Sequence, residues 1–214
     1  MICGLDEAGR GPVIGPLVVA AVMMDDDRPL QEMGVKDSKK LTPSRREELA
    51  AEIRKVARVE TRAIDAETID ARGCERSLNE LEIERFSDLI MSLRPSDVYI
   101  DACDASESHF ESLIVASIDY HPRMVCEHKA DDRYPVVSAA SIIAKVARDS
   151  MVREIERSLG CPVGSGYPAD EVTIDFIKRW INEKGDLPPY TRRSWETSRR
   201  LLGESKIRKL TYWE

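Results

Sequence analysis

Aromatic residues make up only 6% of this chain of 214 residues, and long apolar runs are missing. Its five cysteines are scattered without Cys-x-x-Cys spacing, which excludes a zinc finger or a disulfide framework and is typical of a reducing compartment. No apolar run reaches the roughly 18 residues of a membrane span, and the start lacks the basic and apolar regions of a signal peptide. We therefore expect a soluble, cytoplasmic protein.

An overall positive charge is also missing, since the formal net charge is −7 at pH 7. Nucleic-acid-binding proteins usually carry a basic surface, so this value at first argues against such a partner. From residue 178 to the C-terminus, however, ten basic residues stand against five acidic ones. A solvated helix face produces the same pattern. This local excess of basic residues is compatible with a nucleic-acid partner but does not demonstrate one.

A pair of adjacent carboxylates lies near the start of the chain. Asp6 and Glu7 follow the short apolar segment 1–5. Neighbouring carboxylates repel and raise each other's pKa unless a cation neutralises them. Oxygen ligands of this kind suit a hard divalent ion. The pair predicts a metal site at a strand end, with an acidic turn as the alternative interpretation.

The glycine pattern that begins with Gly9 and Gly11 resembles a dinucleotide-binding loop, but the spacing is wrong by one residue. Pro12 interrupts the pattern, and residues 17–24 are typical of a buried strand, whereas the dinucleotide loop opens a helix. We predict strand, tight glycine turn and strand. The backbone around Arg10 is then open to the close approach of a ligand.

The rest of the chain alternates helices and strands. Helices are predicted over residues 43–56, 78–93, 107–118 and 137–159, and strands over residues 58–64, 97–102 and 123–128. Asp101 ends the fourth strand, and Asp131 follows the fifth. Ligands of open α/β sheets bind outside the carboxyl ends of the strands, so we expect these acids to lie near Asp6.

Five motifs along nearly the whole chain together resemble those of ribonuclease HII, particularly its archaeal form. They are GLDEAGRGP at 4–12, DSKKL at 37–41, HKAD at 128–131, SAASIIAKVARD at 138–149 and GSGYP at 164–168. The resemblance implies an α/β, ribonuclease H-like fold, with a mixed five-stranded sheet flanked by helices and a helical C-terminal extension. We assign residues 1–160 to the catalytic domain and residues 161–214 to a helical substrate-binding part of the same unit.

The resemblance also implies a set of four catalytic, metal-binding carboxylates. They are Asp6, Glu7, Asp101 and Asp131. Four such acids can hold two Mg²⁺ or Mn²⁺ ions about 3.5 to 4 Å apart, one activating water and one stabilising the leaving 3′ oxygen. Cleavage 5′ to a ribonucleotide would leave 3′-hydroxyl and 5′-phosphate ends. Asp132 and Asp149 remain alternatives for the fourth carboxylate.

Substrate-binding residues follow from the same resemblance. The segment Gly9, Arg10 and Gly11 is expected to contact the ribose 2′-hydroxyl, which distinguishes RNA from DNA. Tyr167 is expected to pack on the following deoxyribose, and an aromatic plug beneath the loop is its alternative role. Candidate phosphate contacts are Lys39, Arg46, Lys145 and Arg148.

The last residues resemble a sliding-clamp-binding peptide, with Leu210 and Trp213 as apolar anchors. Ile207 stands where such motifs usually have Gln, and a tail folded back on its own domain is the alternative. We expect the chain itself to be a monomer.

The leading hypothesis is a metal-dependent endoribonuclease acting on RNA/DNA hybrids and on single ribonucleotides in duplex DNA. Such an enzyme would serve RNA primer removal and ribonucleotide excision repair during DNA replication. The alternatives are another nuclease of the same fold and a non-catalytic hybrid-binding or clamp-associated module. Clustered carboxylates favour the enzyme, because a protein that only binds a polyanion gains nothing electrostatically from acids without metal ions.

Overall fold

The computed structural model describes residues 1–36, 41–73 and 77–211, with side chains described as far as residue 205. Within these residues the strands are β1 (Ile2–Ala8), β2 (Leu17–Met24), β3 (Arg58–Ile64), β4 (Asp97–Asp101) and β5 (Arg123–Glu127). The helices are α1 (Arg28–Glu32), α2 (Pro43–Val56), α3 (Ala66–Ala71), α4 (Leu78–Leu93), α5 (Glu107–Ser117), α6 (Ala130–Arg133), α7 (Pro135–Leu159), α8 (Glu171–Lys184) and α9 (Glu196–Thr211).

The five strands form one mixed sheet in the order β3-β2-β1-β4-β5. Strand β1 pairs antiparallel with β2 and parallel with β4, and β4 pairs parallel with β5. The antiparallel ladder continues as far as Ala8 opposite Val18, so Asp6 and Glu7 lie within β1 and not beyond its end. This mixed sheet with flanking helices confirms the predicted fold class.

Both faces of the sheet are covered by helices, and glycine permits the closest approach. Every residue of β2 is buried, as expected for a strand packed on both sides. A Cβ atom at Gly4 would lie 2.2 Å from the backbone carbon of Val136 in α7. Only glycine therefore lets α7 pack directly against β1, and this contact brings the polar residues of α7 next to the end of that strand.

Local signals define where several helices begin. The Thr42 side chain accepts a hydrogen bond from the Arg45 N–H at the start of α2, and Pro43 occupies the first helical position. At the start of α4, Ser77 and Glu80 form a reciprocal capping box. These helices have the bounds predicted from the sequence.

The chain divides into two compact units. The first unit contains Met1–Ala8, Val18–Ala63 and Arg76–Ala147, and the second contains Gly9–Leu17, Ile64–Glu75 and Arg148–Glu214. The second unit has its own apolar core, in which Ile14, Phe176 and Ile177 are buried. The domain boundary after residue 160 stays a prediction. Among the described helices, none is long and apolar enough to span a membrane.

Candidate active site

Three carboxylates converge in the first unit. The parallel register pairs Leu5 of β1 with Ile100 of β4, so the next residues, Asp6 and Asp101, lie side by side. Asp131 belongs to α6, which follows β5, the other parallel neighbour of β4. One oxygen from each of the three side chains lies within 4.8 Å of the others. We call Asp6, Asp101 and Asp131 the acidic cluster, and its oxygens can hold a metal ion.

Burial makes the negative charge of the acidic cluster costly in free energy. Asp6 is 5% exposed and Asp131 is 4% exposed. Burial raises the pKa of Asp6 to about 7, and the charge of Asp101 adds to the rise. Hydrogen bonds from the Ser141 hydroxyl and from the Glu7 N–H act in the opposite direction. A divalent cation would remove the remaining penalty, because it neutralises several carboxylates at once.

Helix α7 provides a polar connection to the cluster. Lys145 Nζ donates to Ser141 Oγ at 2.7 Å, and Ser141 in turn hydrogen-bonds Asp6. The two α7 residues are four apart and therefore lie on the same face of the helix. Ser141 belongs to the predicted helix 137–159, and its spacing from Lys145 was the available signal for this contact.

Asp101 also shapes the backbone that carries Asp131. Its Oδ1 atom accepts the Ala130 N–H at 3.1 Å. Lys129, which precedes Ala130, adopts the left-handed conformation with φ of 57°. The strand-end carboxylate thus ties down the start of α6 and fixes the position of the third acid.

The other predicted acids lie outside the acidic cluster. Glu7 follows Asp6 within β1 and is not one of the three residues whose carboxylate oxygens lie within 4.8 Å of one another. Asp132 is exposed to solvent. Asp149 belongs to the second unit, where its carboxylate lies 3.5 Å from the guanidinium of Arg148. Of the three alternatives for the fourth carboxylate, the geometry places Asp131 in the cluster.

The glycine loop, residues 9–16, belongs to the second unit. Gly9 has φ of 99°, and a Cβ there would lie 2.7 Å from the Pro16 carbonyl oxygen, so only glycine fits. A Cβ at Gly11 would meet only the Tyr167 ring, at 3.7 Å, which is an ordinary contact. The Val13 N–H donates to the Gly166 carbonyl at 2.8 Å and joins this loop to the segment that carries Tyr167.

Arg148 is buried beneath Tyr167. The Arg148 side chain is 4% exposed, its Nη2 donates to the Ser165 carbonyl at 2.7 Å, and its guanidinium lies 4.8 Å from the centre of the Tyr167 ring. The structure thus places Arg148 as a support for Tyr167 instead of an exposed phosphate contact. The sequence predicted the helix that carries Arg148 but could not reveal that the Arg148 side chain is buried.

Arg192 is a buried residue that sequence reasoning counted only as part of the basic C-terminal surplus. It is fully buried, and its guanidinium donates to the carbonyl oxygens of Gly9, Arg10 and Gly15. Burial, together with the charge of Arg148, lowers the pKa of Arg192 to about 10. No local motif marks this residue, because its partners lie more than 170 positions earlier in the chain.

The remaining predicted contacts are only partly described. Arg46 is half-buried on α2, where its Nη1 donates to the Leu41 carbonyl at 3.1 Å. Lys39, Trp213 and the side chain of Leu210 lie outside the described residues.

The sheet has the mixed strand order β3-β2-β1-β4-β5, and aspartates of its central strand β1 and of the parallel neighbour β4 face each other. This combination defines the ribonuclease H-like class of nucleases. Comparisons with known proteins narrow this class. The family model described as Ribonuclease HII matches residues 3–198. A ribonuclease HII of Methanocella arvoryzae is 46% identical over 216 residues, covering 100% of this chain and 96% of the relative. The chain therefore belongs to the ribonuclease HII family, a family of endoribonucleases, as the resemblance predicted.

Solved structures agree with this assignment. The crystal structure of ribonuclease H2 from Pyrococcus horikoshii OT3 superimposes with a TM-score of 0.89 at 40% identity, covering 96% of this chain and 98% of that one. Ribonuclease HII in the PCNA:RNase HII complex from Archaeoglobus fulgidus has a TM-score of 0.84 at 42% identity, covering 94% of this chain and 96% of that one.

Proposed function

We propose that this chain is a metal-dependent endonuclease that hydrolyses the RNA strand of RNA/DNA hybrids and cuts 5′ to single ribonucleotides in duplex DNA. The observation that carries the proposal is the acidic cluster, in which three carboxylates lie within 4.8 Å of one another and two of them are buried. Membership of the ribonuclease HII family supplies the substrate class.

The cluster has the donor chemistry of a site for Mg²⁺ or Mn²⁺, since it offers only carboxylate oxygens and burial disfavours their charge without a cation. Asp6, Asp101 and Asp131 would hold the metal, with Glu7 as a fourth ligand from the adjacent position of β1. The chemistry supplied by two such ions at this site would be activation of the attacking water and stabilisation of the leaving 3′ oxygen in an in-line displacement at phosphorus. The products carry 3′-hydroxyl and 5′-phosphate ends.

The protein groups around the cluster orient it and the substrate. Ser141 donates its hydroxyl to Asp6 and fixes that carboxylate. Lys145 holds its ammonium group beside the cluster, where it offsets negative charge and contacts a phosphate of the cleaved strand. Arg46 and Lys39 are further phosphate contacts.

Recognition of the ribonucleotide belongs to the second unit. The backbone of Gly9, Arg10 and Gly11 contacts the 2′-hydroxyl, and Tyr167 packs on the next deoxyribose. Support comes from Gly11, where a Cβ atom would meet only the Tyr167 ring, at 3.7 Å, and where the backbone does not require glycine. Tyr167 keeps 38% of its surface exposed, enough to contact a sugar.

The C-terminal tail is proposed to bind a sliding clamp through Leu210 and Trp213. The supporting comparison is the Archaeoglobus fulgidus relative, which was solved in a complex with PCNA. Calorimetry with an archaeal clamp should detect binding to the full chain and none to a chain lacking residues 207–214. Equal affinity of the two forms would contradict this role of the tail.

The nuclease proposal is tested by cleavage of a labelled RNA/DNA hybrid with Mg²⁺, with Mn²⁺ or with chelator. We expect metal-dependent cleavage by the wild type and by the control variant Asp132→Asn, whose side chain is exposed outside the cluster. Asp6→Asn and Asp101→Asn should lose cleavage by at least about 10³-fold, because each removes a ligand from the site. Hybrid binding without cleavage in any metal would contradict the enzyme and favour a binding module.

A further inference from the structure

Arg192 is a buried cation whose acceptors are all backbone carbonyls of the glycine loop. It is 0% exposed, and its side chain donates to Gly9 O at 2.6 Å, Arg10 O at 2.9 Å and Gly15 O at 3.0 Å. Its guanidinium also lies 5.1 Å from the centre of the Trp195 ring. Burying a charge without a hydrogen-bonded carboxylate is costly, so the three hydrogen bonds to the loop carbonyls must offset that cost.

The three hydrogen bonds determine which way the loop presents its amides. In a trans peptide the C=O and the next N–H point in opposite directions, and the described residues contain no cis peptide. Because the carbonyls of Gly9 and Arg10 point at Arg192, the N–H groups of Arg10 and Gly11 point away from it. Arg192 therefore turns two adjacent donors towards the opposite side of the loop.

Arginine suits this task better than lysine. Its planar guanidinium carries five N–H donors in a fixed arrangement, whereas an ammonium group is a single point with three donors. Here Nε, Nη1 and Nη2 each bind a different carbonyl. A lysine at this position would keep the charge and lose the simultaneous contacts.

The segment that carries Arg192 is itself held by α3. Asp70 accepts hydrogen bonds from the N–H of Arg193 at 2.7 Å and from the N–H of Ser194 at 3.0 Å. Arg72, next to α3, stacks over the Trp195 ring at 5.0 Å. These contacts fix the backbone directly after Arg192.

We propose that Arg192 is a positioning residue for ribonucleotide recognition: it holds the Gly9–Gly11 backbone so that the Arg10 and Gly11 amides face the ribose. This inference rests on the proposed function, because it assumes that the loop contacts the ribose 2′-hydroxyl. It assigns Arg192 no contact with substrate or metal.

The test uses a duplex with one embedded ribonucleotide and compares wild type, Arg192→Lys, Asp70→Asn and the matched control Arg193→Lys. Arg193 is exposed and pairs with Asp186, so its replacement by lysine should leave cleavage within about twofold. Arg192→Lys should reduce kcat/KM by about 100-fold, since a misplacement near 1 Å has this effect. The fraction of cuts at the ribonucleotide junction should also fall. A loss of stability lowers the amount of folded enzyme but does not change where the folded enzyme cuts.

Asp70→Asn weakens the support of Arg192 without removing a buried charge, so it keeps the proposal testable if Arg192→Lys does not fold. We expect it to shift cut-site selection in the same direction and by less. Wild-type site selection in both folded variants, or in Asp70→Asn when Arg192→Lys is unfolded, would overturn the proposal. If the wild type itself makes no cut at the ribonucleotide, the proposed function fails instead, so the two failures are distinguishable.

Discussion

The guanidinium of Arg148 stacks on the ring of Tyr167, with 4.8 Å between the guanidinium carbon and the ring centre. Its Nη2 atom also donates to the Ser165 carbonyl in the same segment. One buried arginine thus fixes both the aromatic side chain that is proposed to contact the deoxyribose and the backbone next to it. The role of Tyr167 depends on α7 as well as on its own loop.

Replacing Arg148 by methionine should therefore affect both stability and site selection. We expect a loss of about 1–3 kcal/mol in the free energy of unfolding, since the stacking and the hydrogen bond are both removed. Cuts should spread from the ribonucleotide junction to neighbouring positions. Urea unfolding and product mapping measure the two effects. Arg157→Met, with a side chain 74% exposed, is the control and should change neither.

Asp6→Asn should stabilise the metal-free protein at neutral and alkaline pH. Burial raises the folded-state pKa of Asp6 to about 7, from its ordinary value of 3.8. The folded state then binds an extra proton between these values, so its stability falls as pH rises through this window. At pH 8 we expect the variant to be about 1–3 kcal/mol more stable than wild type, and the difference should vanish near pH 4.

Urea unfolding in chelator at both pH values measures this effect of Asp6. The exposed residue Asp132 provides the control, and Asp132→Asn should follow the wild type at each pH. A wild type that is more stable than Asp6→Asn at pH 8 without metal would contradict the electrostatic description of the cluster.

Divalent metal should stabilise the wild type more than a variant that lacks one carboxylate of the acidic cluster. An ion that binds only the folded state stabilises it by about 2.7 kcal/mol at a concentration of 100 times Kd. We expect Mg²⁺ or Mn²⁺ to raise the unfolding temperature of the wild type, and to have little effect on Asp101→Asn. Calorimetric scans at matched ionic strength measure the shift. Equal shifts in both proteins would place metal binding outside the acidic cluster.

Gly9 and Gly11 should respond differently to alanine. Gly9→Ala should cost about 1–3 kcal/mol of stability, because Gly9 has φ of 99° and its new Cβ would lie 2.7 Å from Pro16 O. Gly11→Ala should unfold like wild type, since its Cβ meets only the Tyr167 ring at 3.7 Å. Its cleavage of ribonucleotide-containing duplex should nevertheless fall by more than about tenfold, because the methyl group occupies space proposed for the sugar. Unchanged cleavage by Gly11→Ala would argue against that placement.

The sequence predicted those features that depend on local patterns. The helix α2, which begins directly after the capping residue Thr42, and the strand β3 both have the predicted bounds. The acidic cluster was predictable because strand ends of parallel neighbours meet at one edge of a sheet. The strand β1 extends further than predicted, because its pairing with β2 continues through the acids to Ala8.

Features that depend on contacts distant in sequence could not be predicted. Arg148 and Arg192 look like surface cations by composition, and only tertiary packing reveals that both are buried. Ser141 resembles the small residues around it, and its hydrogen bond to Asp6 requires the close packing of α7 that Gly4 permits. Burial of a polar residue depends on what covers it, and a single sequence does not contain that information.

The most direct test of the account is end-mapping of the products from a DNA duplex that contains one ribonucleotide, in Mg²⁺ and in Mn²⁺, with wild type, Asp6→Asn and Tyr167→Ala. The account predicts one cut 5′ to the ribonucleotide with 3′-hydroxyl and 5′-phosphate ends, none with Asp6→Asn, and scattered cuts with Tyr167→Ala. An equally sharp cut with Tyr167→Ala, or cleavage by Asp6→Asn at the wild-type rate, would contradict it.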